Sequence, residues 1–330
     1  MFRTALCYKN RLPGVDLVFV FSNNSFLLCY HESGGSKVSK LRESYDRFIK
    51  EKEEWKKYPL VGKYFLDQTK RYVHPFRIFG NIWYVGDSWV CVHLIDTGSG
   101  LLLIDCGNSG ATAMLIQAIW EAGFNPKDVK WIVLSHGHLD HIGAATFFRE
   151  MFGTKLYMGK PDAEAFRKNP EKSLIHECGD LSQDVFTVDY EINDGDILAF
   201  GDIRMQFYLV PGHTDGCIAA FFDVSDGKRT VRAGYYGGFG FNTLQSDYLD
   251  DIGDTEHRMR DVYLQSLAKV RNQKVELFLG NHCVNNDTLE KAKLLENGCK
   301  ENPFIIDRLW GEYLDLKRDQ LLELIRNQVS

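Results

Sequence analysis

The sequence predicts an α/β protein in which two β-sheets are covered by helices. From position 73 onward, short apolar runs of strand length alternate with turn residues and with segments of helical periodicity. Strands that alternate with helices favour architectures of layered sheets and helices. Candidate ligand residues follow several of these strands directly. They are therefore expected at one edge of the sheets, where loops on a rigid scaffold gather function.

The first part of this region is predicted to begin with antiparallel strands. These strands cover residues 82–85, 90–95 and 101–105. The turn residues Thr97-Gly-Ser-Gly100 join the last two.

Helices and a strand then alternate. A helix over 111–122 ends at Gly123, and the apolar strand 131–134 follows it. A second helix over 142–151 is closed by Gly153. This order gives a βαβα arrangement.

The second half is predicted to consist mainly of strands. They lie at 203–210, 218–224, 230–233 and 275–279. The residues Ser225-Asp-Gly-Lys228 connect two of them as a hairpin. The strand 203–210 runs into Pro211-Gly-His213, and the strand 275–279 runs into Gly280-Asn-His282.

Residues 1–60 are predicted to form an appendage to the main domain at 73–330. Charged residues dominate between 34 and 57, while apolar residues recur there at roughly helical spacing. This pattern indicates a peripheral amphipathic helix, preceded by partly disordered residues. The apolar pieces between 12 and 30 are interrupted by Asp16, Asn23 and Asn24, so neither a clean signal peptide nor a membrane span is predicted.

Composition restricts the partners. The chain has 330 residues and a formal net charge of −6, without a Lys/Arg run longer than two, which counts against a nucleic-acid partner. Its eight cysteines include no Cys-x-x-Cys pair and are expected to be free thiols. A cytoplasmic location is favoured over a periplasmic or secreted one. We expect a small-molecule substrate and neither nucleic acid nor a membrane as partner.

Four potential metal ligands lie within six residues directly after one predicted strand. They are His136, His138, Asp140 and His141 in the stretch Ser135-His-Gly-His-Leu-Asp-His-Ile-Gly143. Imidazole nitrogens and a carboxylate are ligands that zinc prefers. The alternative is a His-rich surface loop without metal, but the apolar run before the cluster is typical of a buried strand. The cluster therefore predicts a metal site at a strand end.

Two further histidines extend the candidate set to six. His213 ends Val210-Pro-Gly-His and His282 ends Gly280-Asn-His, each after a predicted strand. A catalytic zinc ion uses three protein ligands and keeps one position open, so six groups suffice for two ions. Either histidine alone could simply cap its strand. Together with the cluster they predict a binuclear zinc site.

The two metal motifs resemble those of the metallo-β-lactamase superfamily. The first is Ser135-His-Gly-His-Leu-Asp-His-Ile-Gly143 and the second Val210-Pro-Gly-His-Thr-Asp-Gly216. The finer resemblance is to the third subclass of class B β-lactamases, through residues 80–86, 101–107, 123–130 and 302–305. It implies an αββα four-layer sandwich, with two mixed β-sheets packed between helices, for a catalytic domain at 73–330.

The resemblance also implies a ligand set for each ion. The first zinc would be held by His136, His138 and His213, and the second by Asp140, His141 and His282.

The reaction implied is hydrolysis of the amide bond of a β-lactam ring by a metal-bound hydroxide, an activity that confers antibiotic resistance. Asp140 would orient the hydroxide, and Tyr235 is a further catalytic candidate. Asp105 would brace the loops that carry the ligands.

The segment after strand 230–233 departs from the family's pattern. Many superfamily hydrolases, such as lactonases and glyoxalase-type thioesterases, carry a metal-bridging Asp there, and its absence here favours the β-lactamase subclass. Many members of that subclass use serines at the positions of Tyr235 and Gly237 to hold the substrate carboxylate. Tyr235, Tyr236 and Phe239 could instead form an aromatic wall of the substrate pocket, or could pack beside the neighbouring glycines.

Two alternatives stay open at this point. A lactonase or related ester or thioester hydrolase would use the same fold and metals. A metal-binding protein without hydrolytic turnover would use the ligands alone, because one fold hosts many chemistries.

Overall fold

The computed structural model describes residues 70–169 and 186–329, together with residues 8–12, 15–22, 25–31, 42, 43, 46 and 50. In the first sixty residues it contains three strands, β1 (Tyr8–Leu12), β2 (Val15–Ser22) and β3 (Ser25–His31), paired antiparallel in that order. The sequence analysis assigns no strands here, although apolar runs on both sides of Asn23-Asn24 are typical of a hairpin. Residues 42, 43, 46 and 50 are helical. The rest of the helix predicted at 34–57 lies outside the described residues.

Seven strands form the first β layer of the main domain. They are β4 (Phe76–Phe79), β5 (Ile82–Tyr84), β6 (His93–Asp96), β7 (Leu101–Ile104), β8 (Val129–Leu134), β9 (Lys155–Gly159) and β10 (Tyr190–Ile192). They lie side by side in the order β10-β9-β8-β7-β6-β5-β4. Strands β4 to β7 pair antiparallel and β7 to β10 pair parallel, so the sheet is mixed.

The strand predicted at 90–95 begins later, at His93. The preceding residues pair elsewhere: Val90 forms an isolated bridge with His282, and the Cys91 N–H donates to Asn281 O at 2.9 Å. The start of this apolar run is thereby joined to a ligand loop of the other sheet.

Five strands form the second β layer. They are β11 (Ile197–Phe200), β12 (Ile203–Leu209), β13 (Ile218–Ser225), β14 (Thr230–Tyr236) and β15 (Leu277–Leu279), which lie side by side in that order. All neighbours pair antiparallel except β14 and β15, which are parallel.

The helices of the main domain are α1 (Thr112–Glu121), α2 (Leu139–Ile142), α3 (Ala145–Phe152), α4 (Lys160–Lys168), α5 (Ser246–Asp251), α6 (Arg258–Val270), α7 (Thr288–Glu296) and α8 (Leu309–Val329). Of these, α1, α3 and α4 pack on the outer face of the first sheet, and α6 and α8 pack on that of the second. Helix α7 packs through Leu289 and Leu295 against the core between the sheets. Within the described ranges, no helix combines the length and apolar character needed to cross a lipid bilayer.

Three apolar clusters define the layers. One lies between the sheets and contains Ile104 from the first sheet and Phe207 from the second. A second joins the first sheet to helices such as α3 through Phe148, and a third joins the second sheet to α8 through Trp310. Burial of these clusters stabilises the domain by roughly 25 cal/mol per Å² of apolar surface removed from water. The αββα four-layer sandwich predicted from the resemblance is confirmed.

The layers bring several strand ends to one edge. Asp105 follows β7, His136 follows β8, His213 follows β12 and His282 follows β15. The edge where these four strands end carries the candidate site.

Candidate metal centre

His136, His138 and His213 bring their rings together between the two sheets. His136 and His138 follow β8 of the first sheet, and His213 follows β12 of the second. The three ring centroids are 4.6 to 4.8 Å apart. One ligand nitrogen of each ring lies within 4.8 Å of the others, and all three side chains are buried.

Asp140, His141 and His282 lie beside this trio. Asp140 and His141 belong to α2, and together with His136 they form a second group of ligand atoms within 4.8 Å of one another. Asp140 Oδ2 is 3.4 Å from His141 Nε2 and 3.6 Å from His282 Nε2. The rings of His141 and His282 are 5.1 Å apart. The structure thus brings all six candidate ligands into one cluster.

Two ring nitrogens of the cluster show that it fits a metal. The Nε2 atoms of His136 and His141 are buried, and neither has a hydrogen-bond partner among the residues that the structure describes. A buried polar atom without a partner costs about 1 to 3 kcal/mol, a cost that a bound cation removes. Imidazole nitrogens combined with one carboxylate suit a divalent metal such as zinc.

Asp105 orients the first ligand loop. It follows β7 with a φ of 61°, a left-handed conformation that few residues other than glycine adopt. Its Oδ2 accepts from the Ser135 hydroxyl at 2.8 Å and lies 2.7 Å from His141 Nδ1, and its Oδ1 accepts the Ser135 N–H at 2.7 Å. The Tyr235 hydroxyl also donates to Oδ2. A carboxylate on Nδ1 of a ligand histidine fixes the tautomer whose Nε2 binds metal.

Other ligand rings also place Nδ1 against an oxygen. The distances are 3.0 Å from His136 Nδ1 to Ser135 Oγ, 3.0 Å from His213 Nδ1 to Gly240 O and 3.2 Å from His282 Nδ1 to Trp89 O. Contacts of this kind hold ring orientation in metal sites.

The ionisation of the rings follows from burial and from neighbouring charges. Burial lowers the pKa of His136 well below its ordinary value of 6.5, and the imidazoles of His141 and His138 act in the same direction. His136 is therefore neutral, which is the metal-binding form. Burial also disfavours a charge on His141, but the carboxylates of Asp140 and Asp105 outweigh it and raise its pKa.

The three aromatic residues assigned to a substrate wall require a correction. Tyr235 and Tyr236 are completely buried and Phe239 is 2% exposed. The reason is that β14 extends three residues beyond the predicted strand, to Tyr236, where it pairs with Ala219 and Ala220 of β13. Tyr235 faces the core between the sheets, whereas Tyr236 and Phe239 pack in the core beneath α8. The substrate-binding assignment of these rings is wrong, and Tyr235 contacts Asp105 instead of a substrate.

An open cleft beside His138 and His213 offers a place for a substrate. Its lining includes the apolar side chains Phe166, Ile252 and Met259, the Tyr248 side chain and the acidic residue Asp215. Apart from Asp215, which lies in the second metal motif, no sequence motif marks these residues, because they come from separate segments that only the fold brings together.

Asp162, which also lines the cleft, is missed by the sequence analysis as well. It had a usable signal, since it is a carboxylate soon after β9, whose end lies near the other ligand loops. Burial raises its pKa to about 6, although three hydrogen-bond donors favour the ionised form.

Comparison with known proteins places these motifs in a family. Residues 90–279 match the metallo-β-lactamase superfamily, which is more than half of the chain. Hydroxyacylglutathione hydrolase GloC of Haemophilus influenzae is 33% identical over 130 residues, covering 39% of this chain and 58% of that protein. A probable metallo-hydrolase of Burkholderia pseudomallei is 29% identical over 133 residues, covering 38% of this chain and 45% of that protein. The chain thus matches about half the length of these curated relatives.

Solved structures match along nearly their whole length. BJP-1, a subclass B3 metallo-β-lactamase of Bradyrhizobium japonicum, is 25% identical with a TM-score of 0.69, and the match covers 80% of this chain and 98% of that one. The FEZ-1 metallo-β-lactamase from Legionella gormanii is 25% identical with a TM-score of 0.69, and the match covers 79% of this chain and 98% of that one. The similarity to subclass B3 predicted from the motifs is confirmed.

Proposed function

The chain belongs to the metallo-β-lactamase superfamily, and from its clustered ligands we propose that it is a zinc-dependent hydrolase that holds two zinc ions and opens the amide bond of a β-lactam ring. One observation carries the proposal: six ligand groups from both sheets converge at one edge, with two buried Nε2 atoms left for a cation. In the proposed arrangement, His136, His138 and His213 hold one ion. Asp140, His141 and His282 hold the other.

Zinc ions held there would lower the pKa of bound water toward about 7 and polarise a substrate carbonyl. The remaining work falls to side chains of this protein. Asp140 is the only carboxylate of the ligand set, and its side chain is 18% exposed, so it reaches solvent at the cluster. It can accept a hydrogen bond from the attacking water and orient it. His136 and His141, which are at most 1% exposed, exclude solvent behind the reacting groups.

The position after β14 favours lactam over ester chemistry. Residues 234–238, at the end of β14 and directly after it, read Gly-Tyr-Tyr-Gly-Gly, and none of them can supply the bridging carboxylate that many lactonases and thioesterases of the superfamily use. The match to nearly the whole length of the subclass B3 metallo-β-lactamase BJP-1 supports the same choice.

Ester or thioester hydrolysis is the second candidate, and two observations favour it. GloC, to which this chain is 33% identical over 130 residues, is a hydroxyacylglutathione hydrolase. Among the described residues, the cleft lining includes no Lys or Arg that could hold the carboxylate of a β-lactam, while Phe166, Ile252 and Met259 suit an apolar group.

Parallel hydrolysis assays test the proposal. The zinc-loaded chain is assayed on a penicillin, a cephalosporin, a carbapenem, an acyl-homoserine lactone and a hydroxyacylglutathione thioester. We expect the highest kcat/KM on a lactam. We also expect Asp140→Asn to lower it by about 100-fold or more, since a positioned acid–base group contributes about 10² to 10⁴. Asp223→Asn is the matched control, because that carboxylate is exposed on β13 and, among the described residues, its ion pair is with Arg232.

The outcomes separate the three functions. A thioester or lactone turned over faster than every lactam would establish the second candidate. A chain that retains two metals but hydrolyses none of these substrates would be a metal-binding protein without turnover.

A further inference from the structure

Asp162 is a buried carboxylate that no assigned role explains. It lies near the start of α4 and is 5% exposed. None of the ion pairs of the described residues involves it. Burying a carboxylate without a neighbouring cation costs free energy unless hydrogen bonds compensate. The groups that donate hydrogen bonds to Asp162 therefore indicate its role.

All three of its donors belong to ligand loops. The Gly137 N–H donates to Oδ2 at 2.8 Å, the Thr214 hydroxyl donates to Oδ2 at 2.7 Å, and the Gly216 N–H donates to Oδ1 at 2.6 Å. Gly137 separates His136 from His138 in the sequence, and Thr214 directly follows His213. One side chain therefore ties together the two loops that carry the first ligand trio, although they belong to different sheets.

Backbone packing keeps this connection in place. A Cβ atom on Gly216 would lie 2.3 Å from the Asp162 nitrogen, and one on Gly159 would lie 2.0 Å from Gly216 O. The chain entering α4 and the loop after His213 are thus in direct backbone contact. Without the Asp162 carboxylate, the loop after His213 could not move closer to α4, because their backbones are already in contact, and it would move away from α4.

The second group of proposed ligands, Asp140, His141 and His282, is held in place by other residues than Asp162. His141 rests on Asp105, and His282 lies against Trp89 O. Asp140 and His141 belong to α2, and Asp162 has no hydrogen bond to α2. Its loss should therefore disturb the two groups unequally.

We propose that Asp162 is a positioning residue for the first metal only: by joining the loops of His136, His138 and His213 it sets the spacing of that trio. This inference rests on the two-zinc proposal above. If the Asp162 carboxylate is neutralised, the first of the two ions should be bound more weakly and the second should not.

Metal titration of an Asp162→Asn chain tests the proposal. The substitution keeps the shape of the side chain but places an N–H₂ group against donors. We expect the affinity of one zinc equivalent to fall about 10- to 100-fold, as is typical when a group supporting a metal ligand is lost. The other equivalent should bind as in the wild type. Competition with a chelator gives the affinities, and Co(II) substitution shows by its visible spectrum which ligand set is lost.

Asp189→Asn is the matched control. Asp189 also accepts a backbone N–H, from Leu156 at 3.0 Å, but it touches no ligand loop. This variant should bind both metals as the wild type does. Thr214→Val removes one of the three donors and should weaken the same equivalent to a smaller extent. It keeps the test decisive if Asp162→Asn does not fold.

The results that would overturn the inference are distinct from failure of the proposed function. Wild-type affinity at both sites, or equal loss from both sites in a folded variant, would show that Asp162 has no selective role. A wild-type chain that binds no zinc would reject the proposed function itself, independently of any result with Asp162.

Discussion

At the level of single residues, Tyr235 acts on the candidate metal centre indirectly, through Asp105. Tyr235 donates to Asp105, which contacts His141 and Ser135. Burial, together with the nearby Asp105 carboxylate, raises the pKa of Tyr235 well above 10, so its hydroxyl stays protonated and remains a donor. The next residue, Tyr236, is equally buried, yet within the described part of the chain its hydroxyl has no hydrogen-bond partner.

Two single-atom deletions on β14 should therefore behave differently. Tyr235→Phe removes a donor to Asp105 and is expected to lower kcat by about 10-fold or more, the usual size of effects one contact beyond a metal ligand. KM should change little, because the ring is inaccessible to substrate. Tyr236→Phe removes an unpaired buried hydroxyl and should leave kcat unchanged, with equal or greater stability. Steady-state kinetics and urea unfolding measure both, and equal kcat values for the two variants would contradict this role of Tyr235.

At the element scale, close backbone packing fixes the ligand segments. The segment after β14 passes directly over the His213 ring, and a Cβ on Gly238 would lie 2.3 Å from His213 Cδ2. Gly137, between His136 and His138, has more room, because its Cβ would meet nothing closer than 3.6 Å.

Two glycine substitutions test this packing. Gly238→Ala should displace the His213 ring and lower the zinc content of the purified chain, whereas Gly137→Ala should keep it. Metal analysis is the measurement, with circular dichroism to confirm that both variants fold. Retention of full zinc content by Gly238→Ala would show that the ring can move aside without loss of the metal.

The elements also show what sequence patterns could and could not predict. The helix predicted at 142–151 corresponds to α3, which begins three residues later, at Ala145. Ile142 instead ends α2, because the ligand-bearing turn at 139–142 is itself helical. Strand β14 was predicted too short, since its glycine and aromatic residues are also typical of a loop. Because residues 234–236 are expected from the sequence to form a loop, Tyr235 and Tyr236 are assigned to the substrate pocket, whereas in the structure they belong to β14.

At the scale of the whole molecule, most strands and the metal motifs could be predicted, because strand periodicity and ligand spacing are local signals. The four-layer arrangement is implied by the resemblance of those motifs to a known family. The cleft and the contacts of Asp162 could not be predicted, since they join segments far apart in the sequence, although the position of Asp162 soon after β9 is itself a local signal. The β1–β3 sheet is a further feature that the sequence analysis missed.

The proposed binuclear zinc centre, built from six groups that both sheets carry, is tested by metal analysis of the zinc-reconstituted chain. We expect about two zinc ions per wild-type chain and about one after His282→Ala, which removes a single ligand of the second set. A wild-type value near zero, or a His282→Ala value that stays at two, would contradict the proposal.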